Sequence, residues 1–152
     1  MGSLEDVEAR LDRVETELAL HRLVQDYCVA ADHRDVRLWA SVWTEDAVWE
    51  TRPDAVCTGI AEITGAVETQ WRTFPLMLHA TANHTVEQHG ETATGRADVT
   101  AFVQVPNGEW ILGGATYLDY RRTDHRLADR PTSCRPSLRP GRTTPEPRAA
   151  AP

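Results

Sequence analysis

The chain has 152 residues, 41% of them hydrophobic, and a net charge of −7, with a pI of about 5.3. That length predicts one domain around one core, and the acidic balance argues against nucleic acid as a partner. No apolar run approaches the roughly 20 residues of a membrane span, so no membrane partner is expected.

The N-terminus, Met1-Gly2-Ser3-Leu4-Glu5-Asp6, lacks the charged and apolar regions of a signal peptide. Together with three cysteines, Cys28, Cys57 and Cys134, too few and too scattered for a disulfide framework, this predicts a cytoplasmic protein. Leu4, Val7, Leu11, Val14 and Leu18 recur at spacings of three and four, an apolar helical seam. Ser3 with Asp6 reads as the helix start, and Leu23, Val24, Tyr27 and Cys28 carry the pattern on to about Ala31. The strict seam of the first turns reads either as a contact between copies of the chain or as a helix lying on its own sheet.

Asp35 is a candidate N-cap for a short second helix with Leu38, Trp39, Val42 and Trp43 as its apolar face. Ala47 to Thr51 reads as a strand, and Ile60 to about Trp71 as a third helix stopped by Pro75. Leu78 to Gln88 alternates, with Leu78, Ala80, Ala82 and Val86 on one face and His79, Thr81, Asn83 and Thr85 on the other. His84 falls on the face opposite His79 in this register. Thr92 to Val105 and Trp110 to Tyr120 are two more strands, joined at Pro106-Asn107-Gly108, a strong hairpin signal. Helices first and a meander of long strands after them predict an α+β fold. From Asp124 the period is lost and proline and arginine accumulate, so residues 124–152 are expected to be a mostly disordered tail behind a 1–123 domain.

The chemistry is concentrated in few residues. The sequence holds no glycine-rich phosphate loop, no CxxC, HExxH or GxSxG, and no lysine. Asp32, late in the first helix, and His79, at the start of an alternating strand, can form a dyad. A carboxylate that orients an imidazole makes a general base. Taken singly, Asp32 reads first as a surface acid at a helix end and His79 as a satisfied strand histidine. No set of His, Cys and carboxylate has metal-site spacing, so no cofactor is expected.

Leu23-Val24-Gln25-Asp26-Tyr27, then Asp32, then Ser41-Val42-Trp43-Thr44-Glu45-Asp46-Ala47-Val48-Trp49 resembles the first half of SnoaL-like proteins of the NTF2-like superfamily. His79-Ala80-Thr81-Ala82-Asn83-His84-Thr85-Val86-Glu87 followed by Gly90 resembles their strand motif, and the likeness spans about residues 5–122. The branch it is most similar to holds the bile-acid dehydratases, scytalone dehydratase and the lindane dehydrochlorinase. The resemblance implies a cone, with N-terminal helices packed in a strongly curved mixed β-sheet, and a pocket at its mouth. It implies Asp32 and His79 as the proton-abstracting pair and Tyr27 as a hydrogen-bond donor to substrate. It places Trp49 among the pocket residues. Asn83, Asp98, Arg121 and Trp43 are further candidate substrate contacts.

Tyr27 stands where the dehydratases have tyrosine and the dehydrochlorinase lysine, which favours expulsion of oxygen over halide. The function implied is a small cofactor-independent lyase or isomerase, dehydratase-like, acting on a cyclic apolar molecule such as a polyketide or steroid. A polyketide cyclase, an epoxide hydrolase, or a noncatalytic ligand-binding or dimerisation module is the alternative. A homodimer or homotrimer is expected. Such proteins close the cone with a strand containing a Gly-Trp-Arg-Ile-like run, which is missing here after Thr123. GC-rich codons written for Asp124 to Arg130 and shifted by one base read Thr-Thr-Gly-Trp-Arg-Ile-Ala. The tail is therefore expected to stem from a frameshift.

Overall fold

A computed structural model describes residues 3–52, 54–90 and 92–121, with the backbone alone for Arg52 and residues 115–121. The expected tail, 124–152, lies outside the described residues.

Helix α1 runs Leu4–His33. Its start is fixed by a reciprocal capping box, in which the Ser3 hydroxyl accepts from the Asp6 N–H and the Asp6 carboxylate accepts from the Ser3 N–H. It ends at Arg34, whose backbone is left-handed (φ 57°). Helix α2 (Val36–Ser41) is N-capped by Asp35, whose Oδ1 accepts from the N–H groups of Arg37 and Leu38. Strands β1 (Val48–Arg52) and β2 (Ala55–Thr58) form an antiparallel hairpin. Helix α3 (Gly59–Thr73) follows directly. Its first residue needs glycine, because φ is +80° and a Cβ there would meet the Glu45 carbonyl oxygen at 3.2 Å.

Strands β3 (Leu76–His89), β4 (Thr92–Gln104) and β5 (Trp110–Arg121) form an antiparallel sheet in that order, with β3 at an edge. Two register slips interrupt it, between Ala82 and Thr85 in β3 and between Ala93 and Arg96 in β4. Such bulges bend and twist a sheet and curve this one around the helices.

The first slip corrects the expected strand alternation. Asn83 has a left-handed backbone (φ 52°), and Asn83 and His84 together oppose Ala97 where the register skips. Asparagine tolerates this conformation better than most residues. Beyond the bulge the parity of β3 is inverted. His84, Val86 and Gln88 now share the face of Met77 and His79, and Thr85 and Glu87 turn outward. Contacts to α1 run down that inner face: His79 to Asp32, His84 to His21 and Gln88 to the Arg13 carbonyl.

The core lies between the C-terminal half of α1, α2, α3 and the inner face of the sheet, around Val24, Trp39, Trp43, Ile63, Val67, Ala97 and Val99. Trp39 is wholly buried; truncating a side chain of that size to alanine costs about 3–5 kcal/mol. The N-terminal seam does not join this core. Leu4, Val7, Leu11, Val14 and Leu18 stay 53–74% exposed, so the seam itself faces away from the sheet, which meets these turns on another side of the helix at the Arg13 carbonyl. No helix among the described residues is long and apolar enough to cross a membrane.

Candidate active site

Three residues at the end of α1 reach across to the segment that leads from α3 into β3. The Trp71 indole N–H donates to the Ala31 carbonyl at 2.8 Å. Arg34 Nη2 donates to the carbonyls of Phe74 and Pro75 at 3.1 and 2.9 Å. Between them, Asp32 engages His79 twice. Its Oδ2 accepts the backbone N–H of His79 at 2.9 Å, and its Oδ1 lies 2.6 Å from Nδ1 of the ring. β3 is an edge strand, so an N–H on its free side needs a partner from elsewhere in the fold. Asp32 is that partner.

The pair is sheltered, the His79 side chain being 6% exposed and that of Asp32 15%. With Asp32 ionised its oxygens only accept, so in the neutral ring it is Nδ1 that carries and donates the proton. The tautomer is thereby set, and Nε2 is the nitrogen that keeps its lone pair.

Tyr27 and Asp32 lie about 140° apart around the helix axis, yet both border the same imidazole. The Tyr27 ring stands edge-on to that of His79 at 6.0 Å between centroids. It also packs on Trp39 at 4.9 Å and on Trp43 at 6.0 Å. Trp49 touches both indoles, at 5.3 and 5.9 Å. Tyr27, Trp43 and Trp49, three of the residues singled out from sequence, thus form one buried aromatic cluster beside the dyad. Trp39 belongs to it as well, though its place in an apolar helix face marks it only as core.

The indole N–H groups behave differently. That of Trp71 has its carbonyl partner, whereas those of Trp39 and Trp43, and the Thr44 hydroxyl, are buried with no hydrogen-bond partner among the described residues. Buried polar groups are rarely left so.

The remaining candidates lie elsewhere. Asp98 faces outward on β4, since the inner positions of that strand are Ala97, Val99 and Ala101. There it accepts from Asn83 Nδ2 at 3.0 Å and from Arg96, and these contacts hold its carboxyl below the usual range. Asn83 is exposed in the bulge. Asn83 leaves the dyad's face because the αL bulge replaces the regular alternation there, and Asp98 misses it because it alternates out of phase with Ala101, the partner of His79. The Arg121 backbone pairs with Thr92, whereas Gly113 is level with Ala101 and His79. Eight residues of strand, about 27 Å, therefore separate Arg121 from the dyad.

Cys28, one turn before Asp32 and buried, has its thiol pushed up to about 12 by burial and then by the Asp32 charge, and so stays protonated. His84, which sequence reading set on the opposite face from His79, packs edge-on against His21 at 4.3 Å. Burial, and then the neighbouring His21, lower it to about 4 against the opposing pull of Glu17. Among the described residues no group of three or more metal-ligating side chains gathers.

The stretch of chain that holds Asp32 and His79 also matches known proteins. The SnoaL-like domain pattern matches residues 12–128. The chain belongs to the SnoaL-like family. Among solved structures, hexachlorocyclohexane dehydrochlorinase LinA-type3 from Novosphingobium barchaimii LL02 superposes with a TM-score of 0.75 at 22% identity, over 85% of this chain and 90% of its own. An NTF2-like protein with a cystatin-like fold from Novosphingobium aromaticivorans gives 0.76 at 25% identity, over 93% and 94%. A protein designated a scytalone dehydratase from the same species gives 0.69 at 19% identity, over 87% and 89%. These likenesses establish the NTF2-like fold. No curated protein sequence matches the chain.

Proposed function

We propose that this protein is a small cofactor-independent lyase or isomerase, dehydratase-like, in which His79, held by Asp32, removes a proton beside a carbonyl of a cyclic apolar substrate such as a polyketide or steroid. The observation that carries the reading is the double engagement of His79 by one carboxylate. It fixes both the ring and its tautomer before any substrate arrives, as the aspartate of a catalytic triad does. Nε2 takes the proton, and the C–H electron pair moves into the enolate. With a hydroxyl on the next carbon, that pair forms the C=C bond as the C–O bond breaks. The oxygen leaves as water, with the proton returned from the imidazolium, and His79 ends neutral.

Tyr27 donates a hydrogen bond to the substrate carbonyl or to the leaving hydroxyl. Donors set in advance around developing charge, in a site closed to water, are worth several kcal/mol. The structural neighbours named as a dehydrochlorinase and a dehydratase are both named for eliminations. With no lysine in the chain, loss of oxygen is favoured here over loss of halide.

The test is solvent-deuterium exchange into the α-carbon of cyclic ketones, with loss of water from their β-hydroxy derivatives followed by mass spectrometry. Wild type is expected to catalyse both, and His79→Ala to lose the activity by orders of magnitude. Ligand binding with no exchange would leave a binding protein, and exchange that survives His79→Ala would put the base elsewhere; either overturns the proposal.

A further inference from the structure

We infer that the first turns of α1 are an assembly element, a short parallel coiled coil that joins three or four copies of this chain. The helix carries two apolar faces. Its C-terminal half buries Leu20, Val24, Tyr27, Cys28 and Ala31 against the chain's own core. Its N-terminal half presents Leu4, Val7, Leu11, Val14 and Leu18, all more than half exposed. Six residues separate Leu18 from Val24, so the two faces stand about 120° apart around the axis. A continuous helix cannot lay both on one sheet, and the chain's own core takes only the second. The capping box at Ser3 nevertheless completes the helix out to Leu4, well before the Gln88 contact at the Arg13 carbonyl. An isolated helix of this length would be marginal, but here the rest of α1 supplies the nucleus.

The spacing is a strict heptad, with Leu4, Leu11 and Leu18 at a and Val7 and Val14 at d. A period of 3.5 keeps the seam facing a partner helix along its length. The charges beside the seam select the partner. In a parallel arrangement, g positions meet e positions of the next heptad on a neighbouring copy. Arg10 then meets Glu15, and Glu17 meets Arg22, both opposite in sign. In an antiparallel pair Arg10 would meet Glu17, but Glu8 would meet Glu15, like charge on like. On their own helix, Arg22 pairs with Asp26 at 2.9 Å and Glu17 lies 3.7 Å from His21, so Arg10 and Glu15 are the cleaner probes. Leucine at a with a β-branched residue at d favours more than two strands.

Sedimentation equilibrium of the full chain at tens of micromolar tests this. The expected mass is three or four times the 17.0 kDa of one chain. The double variant Leu11→Glu/Val14→Glu should lower it with helicity retained by circular dichroism. Arg10→Glu and Glu15→Arg should each loosen the assembly by roughly tenfold or more, and the two together should restore it. Glu15→Arg also decides direction, since an antiparallel pair would be tightened by it. A wild-type chain that sediments at 17.0 kDa, a mass unmoved by the seam variant, or a tighter assembly on Glu15→Arg overturns the inference. Because none of these residues touches the dyad, turnover of the variants reads the proposed chemistry separately.

Discussion

Asp32→Asn removes one charge and inverts one hydrogen bond while keeping nearly the same shape. In the wild type both carboxylate oxygens accept, one from the His79 backbone at 2.9 Å and the other from its ring at 2.6 Å. The asparagine oxygen can keep one of these, so the amide nitrogen, a donor, is turned toward the other. If the backbone bond is kept, the amide faces Nδ1 and the ring must shift its proton to Nε2. Charge-assisted bonds are worth about 1.5–3 kcal/mol each and neutral ones about 0.5–1.5 kcal/mol. Weakening one and inverting the other in this sheltered site should therefore cost about 2–3 kcal/mol. For a chain of this size that is a fall of roughly 4–12 °C in Tm. The larger effect is on the tautomer, since a base with its proton on the wrong nitrogen loses turnover by about 10⁴ in comparable triads. Nitrogen-15 imidazole spectra read the tautomer directly and need no substrate. The expected result is Nδ1–H in wild type and Nε2–H in Asp32→Asn, alongside the drop in Tm by calorimetry. Wild-type His79 with its proton on Nε2, or an asparagine variant that melts like wild type, would refute the reading of the site.

His84, lowered to about 4 from 6.5, is taken up by protons later in the folded chain than in the unfolded one. Its contribution to stability is therefore complete above pH 6.5 and lost as pH falls toward 4. With the residue only partly buried, solvent screening reduces this to about 1–2 kcal/mol, and denaturant titrations across that window should show a shallower loss in His84→Gln. At the β3 bulge, Asn83→Gly should stay within about 1 kcal/mol of wild type by thermal melting, whereas Asn83→Val, forced to φ 52°, should lose about 2 kcal/mol. Sequencing the gene across the codons of Asp124 to Arg130 should reveal a one-base shift that restores Gly-Trp-Arg-Ile; a gene with no such shift dismisses the frameshift.

Elements with a long period or explicit punctuation were legible. The seam and capping pair announce α1, Asp35 announces α2, and Asn107-Gly108 announces the β4–β5 hairpin, which closes through the Gly108 N–H to the Val105 carbonyl. Strand β2 was missed because its four residues, Ala55–Thr58, are too short to show alternation. The face of Asn83 was misread for a different reason. A bulge adds one residue to one strand and flips every later side chain, and only the asparagine itself hints at αL. The same arithmetic sent His84 inward to His21, whereas Asp98 stands outside by plain alternation from Ala101, the partner of His79. The dyad was legible only through the order of motifs around it, since no local pattern joins residues 47 positions apart.

The Asp32–His79 contact also has a purely structural use, because it satisfies an N–H on the open edge of β3. That use alone does not call for a carboxylate. Asparagine offers an acceptor from the same place, and a serine or a water serves many edge strands. A second acceptor oxygen is needed only for the ring, and its effect there is to decide which nitrogen keeps a lone pair. The neighbouring indoles make the same distinction. Where the fold uses a tryptophan N–H as a strut, at Trp71, it supplies a carbonyl at 2.8 Å. Around Tyr27 it buries two more with no partner among the described residues. A region built only for stability would close those bonds, since each buried N–H left open costs about 1–3 kcal/mol. A base whose lone pair is fixed in advance is what the proposed proton abstraction beside a carbonyl requires.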